Sequence, residues 1–184
     1  MKLKYFFIYF LTLIIGRVCA QTNSTKINAV LDAKNDILKI QQEIVYYNNS
    51  NKSLKQIYLH NWANSFKDKN TPLTKRLIED YSKTLYFAKE KERGYSKISN
   101  LSIDYKTATF NVVKNSEDIL KIDLEKPLSP TDSVIIKASY TVKIPDAKFT
   151  KYGKTSTGYH LRFWYLTPAV FTTDWQLMSN LNID

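Results

Sequence analysis

Apolar and polar residues alternate along much of the chain, which is the pattern of half-buried β-strands. The clearest example is the run 38–46, which is followed by a polar turn at 48–53 and a second apolar run at 54–62. This order predicts an antiparallel hairpin closed by the polar turn. The residues predicted to face inward on its first strand are Leu38, Ile40, Gln42, Ile44 and Tyr46.

One segment follows a helical rather than a strand period. Thr71-Pro72 offers an N-cap with proline at the first helical position, and Gly94 offers a stop. Between them, apolar side chains recur at three- and four-residue steps, as on one face of an amphipathic helix. We therefore predict a single helix over about 73–92. The residues of this stripe are Leu73, Leu77, Ile78, Tyr81 and Leu85.

The rest of the chain is again strand-like. Before the alternating run 38–46, a short apolar stretch at 27–31 is followed by turn residues at 32–36. No internal repeat or break in composition divides the chain, so we expect one domain over 21–184. The fold class predicted is mainly β, an antiparallel sandwich or saddle-like domain with one inserted helix. The further predicted strands are 98–105, 107–113, 119–124, 134–144 and 159–165.

The first twenty residues have the features of a secretory signal peptide. Two lysines precede an apolar run at 5–15, which is too short to span a bilayer. Small residues then favour cleavage between Ala20 and Gln21, and the alternative is a lipid anchor on Cys19, the single cysteine. We expect export to the periplasm or the medium, with no stable membrane span once the signal is removed.

The chain is basic, with 27 Lys and Arg against 17 Asp and Glu. Removal of the predicted signal peptide lowers the net charge from +10 to +7. The lysines are spread evenly, and only Arg76, Arg93 and Arg162 remain for bidentate contacts to phosphates or bases. This distribution indicates a lysine-rich exported surface, and we expect no nucleic acid as a partner.

Residues that carry chemistry are few. The two histidines, His60 and His160, lie far apart in the chain, and no cysteine remains after position 20 to supply a thiolate. No Gly-x-Ser-x-Gly elbow or glycine-rich phosphate loop occurs. We therefore predict no catalytic residue and no metal ligand in this chain.

The segment 161–171 concentrates aromatic residues around Pro168, and Asp174-Trp175 follows closely. Two interpretations stay open at this point. The segment is either a core strand with its corner, or one wall of a cleft that binds a peptide or another ligand.

Several stretches taken in order resemble the N-terminal β domain of aminopeptidase-N-like zinc metallopeptidases, in their secreted bacterial branch. At the proline-marked turn, Asp132 stands where that family usually has glycine. The zinc-binding HExxH helix of the family belongs to its next domain and does not occur before Asp184. The stretches that carry the resemblance are 38–50, 58–64, 88–95, 124–130, 142–145 and 163–175.

The resemblance implies a non-catalytic domain that packs on the catalytic domain of the same polypeptide and caps one side of its peptide cleft. That parent protein would hydrolyse peptide bonds with zinc-activated water. By the same resemblance we expect the β domain to be incomplete at its C-terminal end. The alternatives are a free-standing secreted β-sandwich that binds a peptide, glycan or protein, and a degenerate relative kept as an interaction module. The residues that the resemblance places on the cleft side are Trp164, Tyr165, Asp174 and Trp175.

Overall fold

The computed structural model describes residues 22–180. The predicted signal peptide, its cleavage site at Ala20 and Gln21, and Cys19 lie outside the described residues. Within them, one α-helix, α1 (Pro72–Glu79), and two 3-10 helices, Trp62–Phe66 and Glu90–Glu92, interrupt the β-strands. The strands are β1 (Ser24–Asp32), β2 (Ile37–Tyr47), β3 (Leu54–His60), β4 (Tyr95–Ile103), β5 (Lys106–Thr107), β6 (Phe110–Val113), β7 (Ser116–Leu128), β8 (Ser133–Lys143), β9 (Gly153–Lys154), β10 (Tyr159–His160), β11 (Thr167–Pro168), β12 (Val170–Phe171) and β13 (Trp175–Gln176).

Two larger sheets form the fold. The first has five strands in the order β1-β2-β8-β4-β5, and the second has four in the order β11-β3-β7-β6. Strand pairs within both sheets are antiparallel. Inward side chains of the two sheets share one apolar core. The predicted class, an antiparallel β-sandwich with one inserted helix, is confirmed.

The period-two pattern on β2 identifies its buried face correctly. Leu38, Ile40, Gln42, Ile44 and Tyr46 are all buried. The glutamine is tolerated because both polar atoms of its side chain are hydrogen-bonded inside the core. Its Nε2 donates to the Leu166 carbonyl oxygen at 2.7 Å, and its Oε1 accepts from the Tyr140 hydroxyl.

The predicted hairpin between β2 and β3 is wrong. Strand β2 lies between β1 and β8, while β3 pairs with β7 and β11 in the other sheet. The polar segment at 48–53 therefore carries the chain from one sheet to the other. The hairpin that does form joins β1 to β2 through the turn at 33–36, where Asp36 takes a left-handed φ of 56°.

The predicted helix over 73–92 is also too long, because α1 ends at Glu79. Its start agrees with the prediction, since the Thr71 side chain accepts from the Thr74 amide. At its end, Tyr81 takes a left-handed φ of 60° and the Ser82 amide donates to the Leu77 carbonyl oxygen at 2.7 Å. This is the hydrogen bond that closes a Schellman-type C-terminus.

Gly94 is needed for a close approach rather than as a helix stop. A Cβ atom at this position would lie 2.6 Å from Pro145 Cδ and 2.7 Å from the Lys143 carbonyl oxygen. Only a residue without a side chain lets the start of β4 pass the end of β8 at this distance.

The predicted strand over 159–165 is shorter than expected. It is regular only at Tyr159–His160, where β10 pairs with β9, and the following residues turn away, with Phe163 at a φ of 51°. Of residues 22–180, none belongs to a helix with the length and apolarity that a membrane crossing needs.

Candidate functional site

The four residues predicted on the cleft side form two neighbouring pairs with different surroundings. Trp164 is partly buried against the apolar core and meets the Tyr165 ring edge-on, with centroids 5.4 Å apart. Trp175 packs on Tyr58 at 5.3 Å and on Phe171 at 5.2 Å. Both tryptophans thus contribute apolar packing against the core.

Asp174 lies in the exposed turn between β12 and β13. Its Oδ1 accepts a hydrogen bond from the Trp175 amide at 2.8 Å. This contact within the turn stabilises the short hairpin that carries Trp175.

A buried polar cluster brings together histidine, aspartate and serine residues. Asp118 is fully buried, and its carboxylate accepts from the hydroxyls of Ser65 and Ser179, both at 3.2 Å. It also accepts from the Asn180 backbone amide at 2.7 Å and from Asn180 Nδ2 at 2.9 Å. The cluster therefore fastens the C-terminal segment to β7.

His60 lies beside this cluster, and within residues 22–180 its imidazole is hydrogen-bonded to a backbone amide. Its Nε2 accepts a hydrogen bond from the Met178 amide at 3.2 Å. Burial lowers the pKa of His60, and the Asp118 carboxylate opposes this shift. The hydroxyls of Ser65 and Ser179 both donate to the Asp118 carboxylate, so the printed geometry supports a role of this cluster in holding the C-terminal segment.

A separate cleft of about 320 Å³ opens between the 3-10 helix Trp62–Phe66, α1 and the loops that follow β8 and β10. We call it the arginine–aromatic cleft. Its lining includes two of the three arginines and four aromatic side chains of the described chain. The lining residues are Trp62, Ala63, Phe66, Leu73, Arg76, Thr150, Tyr152, Arg162, Phe163 and Asn180.

Local sequence explains how the cleft is assembled. Thr71 caps α1 and also donates from its hydroxyl to the Ser65 carbonyl oxygen at 2.6 Å, which ties the helix to the 3-10 helix. Leu73 and Arg76 are three residues apart on α1 and so lie on one face. Phe66 and Tyr152 pack with ring centroids 5.3 Å apart and form the floor.

Phe163 lies at the mouth of this cleft. Its ring meets Trp62 edge-on at 4.5 Å, and the Arg162 guanidinium lies 5.9 Å from its centroid. The backbone of Phe163 has a φ of 51°, a conformation that costs L-residues about 1–2 kcal/mol. The side chain is 49% exposed. The Phe163 ring is therefore accessible at the mouth of the cleft.

Two hydroxyls at the cleft have no hydrogen-bond partner within residues 22–180. They belong to Thr150 and Tyr152, and both oxygen atoms are buried. Burial raises the pKa of Tyr152, so its hydroxyl keeps its proton and remains a donor at neutral pH. The cleft thus combines guanidinium groups, hydroxyls and apolar walls, the mixture of polar and apolar lining found in small-ligand sites.

Comparison with protein-family models and with curated proteins finds no match to this chain. In the described residues, no group of three or more His, Cys, Asp or Glu side chains is placed to hold a metal ion.

Sequence reasoning missed the arginine–aromatic cleft. Phe163 and Arg162 lie inside the aromatic segment that it singled out, but Arg76 and Tyr152 come from elements far away in the chain. The one signal available in the sequence was the small number of arginines, whose planar guanidinium groups can make paired hydrogen bonds that a lysine cannot.

Proposed function

We propose that this chain is the exported, non-catalytic N-terminal β domain of an aminopeptidase-like zinc metallopeptidase. In this proposal it packs on the catalytic domain of the same polypeptide and caps one side of the peptide cleft, while zinc-activated water in that next domain hydrolyses the peptide bond. The order of the matching segments supports it, and so does the antiparallel β fold with an inserted helix.

The observation that carries the proposal is an uncovered apolar side of β1. Leu31 lies opposite Leu38 and Ala29 lies opposite Ile40, so these pairs share the face of the sheet that forms the core. The two β2 residues are 4% and 2% exposed, whereas Leu31 is 40% exposed and Ala29 is also exposed. Among the described residues, the core face therefore continues past the partly buried Ile27 to Ala29 and Leu31 without a cover, as expected where another domain packs.

Hydrogen–deuterium exchange tests this packing. In the longer protein that includes the following domain, β1 amides should exchange more slowly than in the 184-residue chain. Leu31→Ser should weaken that protection, and Val30→Ser is the matched control because Val30 lies on the opposite face of the strand and is 67% exposed. Equal exchange of β1 in both proteins would contradict the proposal.

A second candidate function is a free-standing secreted binding module, and the arginine–aromatic cleft favours it. This function predicts that residues 21–184 form a monomer that unfolds cooperatively, because a module without a partner must bury its own core. Size-exclusion chromatography and thermal melting test it. An aggregated or molten product would count against the free-standing module and in favour of the first proposal.

A further inference from the structure

We propose that residues 81–89, which we call the aromatic turn, bind the surface of an anionic lipid bilayer, with the rings of Tyr81, Tyr86 and Phe87 in the headgroup region. This is peripheral binding by a loop, and it needs no membrane-spanning segment. The inference does not depend on the proposed packing of β1, because the turn leads toward β4, and two strands, β2 and β8, separate β4 from β1.

The aromatic turn exposes three aromatic side chains within seven residues. Tyr81 is 95% exposed, Phe87 is 74% exposed and Tyr86 is 36% exposed. Single exposed apolar side chains are normal on proteins in water, whereas a group of them indicates a surface that contacts something else. The Tyr86 and Phe87 rings meet edge-on with centroids 5.0 Å apart, so these two form one continuous patch.

The protein holds the aromatic turn in place from below. Leu85 is fully buried and belongs to the same apolar cluster as Leu73 of α1. Arg93 donates from Nε to the Ala88 carbonyl oxygen at 3.2 Å and from Nη2 to the Tyr86 carbonyl oxygen at 3.1 Å. A turn that is already fixed loses little conformational freedom when it binds, so its exposed rings are available at low entropic cost.

Lysines beside the rings attract anionic lipid. Lys69 is exposed, and its Nζ lies 5.9 Å from the centroid of the Tyr86 ring. Lys83 and Lys89 belong to the turn and are exposed, and no acidic residue lies between Tyr81 and Lys89. Within residues 22–180, neither Lys69 nor Lys83 is paired with a carboxylate. Each lysine near an anionic bilayer raises the affinity about fivefold.

The combination of side chains favours a bilayer over a protein partner. Aromatic rings and lysines together are typical of segments that lie in the membrane–water interface, where lysine ammonium groups reach the headgroups. A bilayer accommodates protruding rings without the matching pocket that a protein would have to supply. Because the exposed acidic residues Asp80 and Glu90 flank the turn, we expect the rings to contribute at least as much of the affinity as the lysines do.

Vesicle flotation with residues 21–184 tests the inference. The predicted signal peptide is left out, because its apolar run at 5–15 would itself bind lipid. The vesicles contain equal amounts of phosphatidylglycerol and phosphatidylcholine, and pure phosphatidylcholine is the comparison. At a salt concentration of about 0.1 M we expect an affinity at least about tenfold higher for the anionic vesicles, and a lower affinity at about 1 M salt.

Ring variants locate the contact. Phe87→Ala should lower the affinity for anionic vesicles about tenfold, because the apolar surface of the ring no longer leaves water. Phe87→Trp keeps an aromatic ring and should retain binding. The matched control is Tyr105→Ala, since Tyr105 is 71% exposed and its ring lies 4.6 Å from Lys137 Nζ. Tyr105 follows β4, whereas the aromatic turn precedes it, so nine strand residues or about 30 Å of strand separate them.

Charge variants test the role of the lysines. The double variant Lys69→Gln with Lys83→Gln should bind anionic vesicles about tenfold more weakly and change little on pure phosphatidylcholine. Lys114→Gln with Lys126→Gln is the matched control, because it removes the same charge at exposed positions outside the turn. Circular dichroism shows whether each variant is folded.

The contradicting outcomes are distinct. Absence of binding to either kind of vesicle up to about 1 mM lipid would overturn the inference. Equal binding to both kinds would overturn the preference for anionic lipid. An equal loss in Phe87→Ala and Tyr105→Ala would contradict the assignment to the aromatic turn. A dimer in size-exclusion chromatography that Phe87→Ala dissociates would assign the rings to a second copy of the chain instead of a bilayer.

Discussion

Replacement of Asp118 tests whether the C-terminal segment is fastened by the buried carboxylate. Asp118→Ala removes the acceptor of four hydrogen bonds, which come from Ser65, Ser179 and both nitrogens of Asn180. Each bond to a buried charged group is worth about 1.5–3 kcal/mol. Because removal also relieves the desolvation of the carboxylate, which costs several kcal/mol, we expect a net loss of about 3 kcal/mol.

Urea denaturation followed by tryptophan fluorescence measures this loss. Asp118→Asn keeps the side-chain volume and one acceptor oxygen, so it should be less destabilising than Asp118→Ala. Asp123→Ala is the matched control, because Asp123 lies on the same strand with a 51% exposed side chain paired to Lys121, and it should change stability little. A loss below about 1 kcal/mol for Asp118→Ala would refute the assigned role of the carboxylate.

Three other changes test further parts of the structure. Burial lowers the pKa of His60 in the folded protein. As the pH falls, the imidazole is therefore protonated in the unfolded chain before it is protonated in the folded one. The free energy of unfolding should therefore fall as pH drops below about 6.5, and His60→Gln should flatten this slope in urea titrations. Phe163→Gly should be more stable than Phe163→Ala by about 1 kcal/mol in thermal melts, because glycine adopts a positive φ without strain; equal stabilities would contradict the strain. Gln42→Leu should cost about 2–4 kcal/mol, because it leaves the buried Leu166 carbonyl oxygen and the Tyr140 hydroxyl without their partner. Tyr140→Phe should cost about 1 kcal/mol, because the Leu166 amide still donates to Gln42 Oε1; the reverse order would contradict this assignment.

The sequence predicted what depends on local pattern. The alternation on β2 identified its inward residues because period two follows directly from strand geometry. The pairing of β2 was missed, since a polar turn such as 48–53 is equally compatible with a hairpin and with a crossing to the opposite sheet. Which strand lies beside β2 is decided by β8, almost a hundred residues later in the chain.

The helix boundary shows a second limit of local pattern. Apolar residues continue at helical spacing past Glu79, and Leu85 is fully buried, yet the backbone turns at Tyr81, which is 95% exposed. The spacing of apolar residues indicates which side chains are buried. An irregular turn after the helix can bury Leu85 as well as a further helical turn would. Asp80 and Ser82 are the local signal for the end, because short polar side chains compete for the helix backbone.

The candidate cleft could not be predicted because it is assembled from distant elements. Phe66, Arg76, Tyr152 and Phe163 come from four separate segments. Their meeting depends on the path of the loops after β8 and β10, for which no periodic pattern exists.

The most direct test of the proposed function is to read the coding DNA downstream of codon 184. The account predicts an in-frame HExxH motif followed by a glutamate about one helix later, and zinc-dependent aminopeptidase activity in the longer protein. A stop codon with no such motif in the reading frame would contradict the metallopeptidase proposal and would leave the free-standing binding module as the function of this chain.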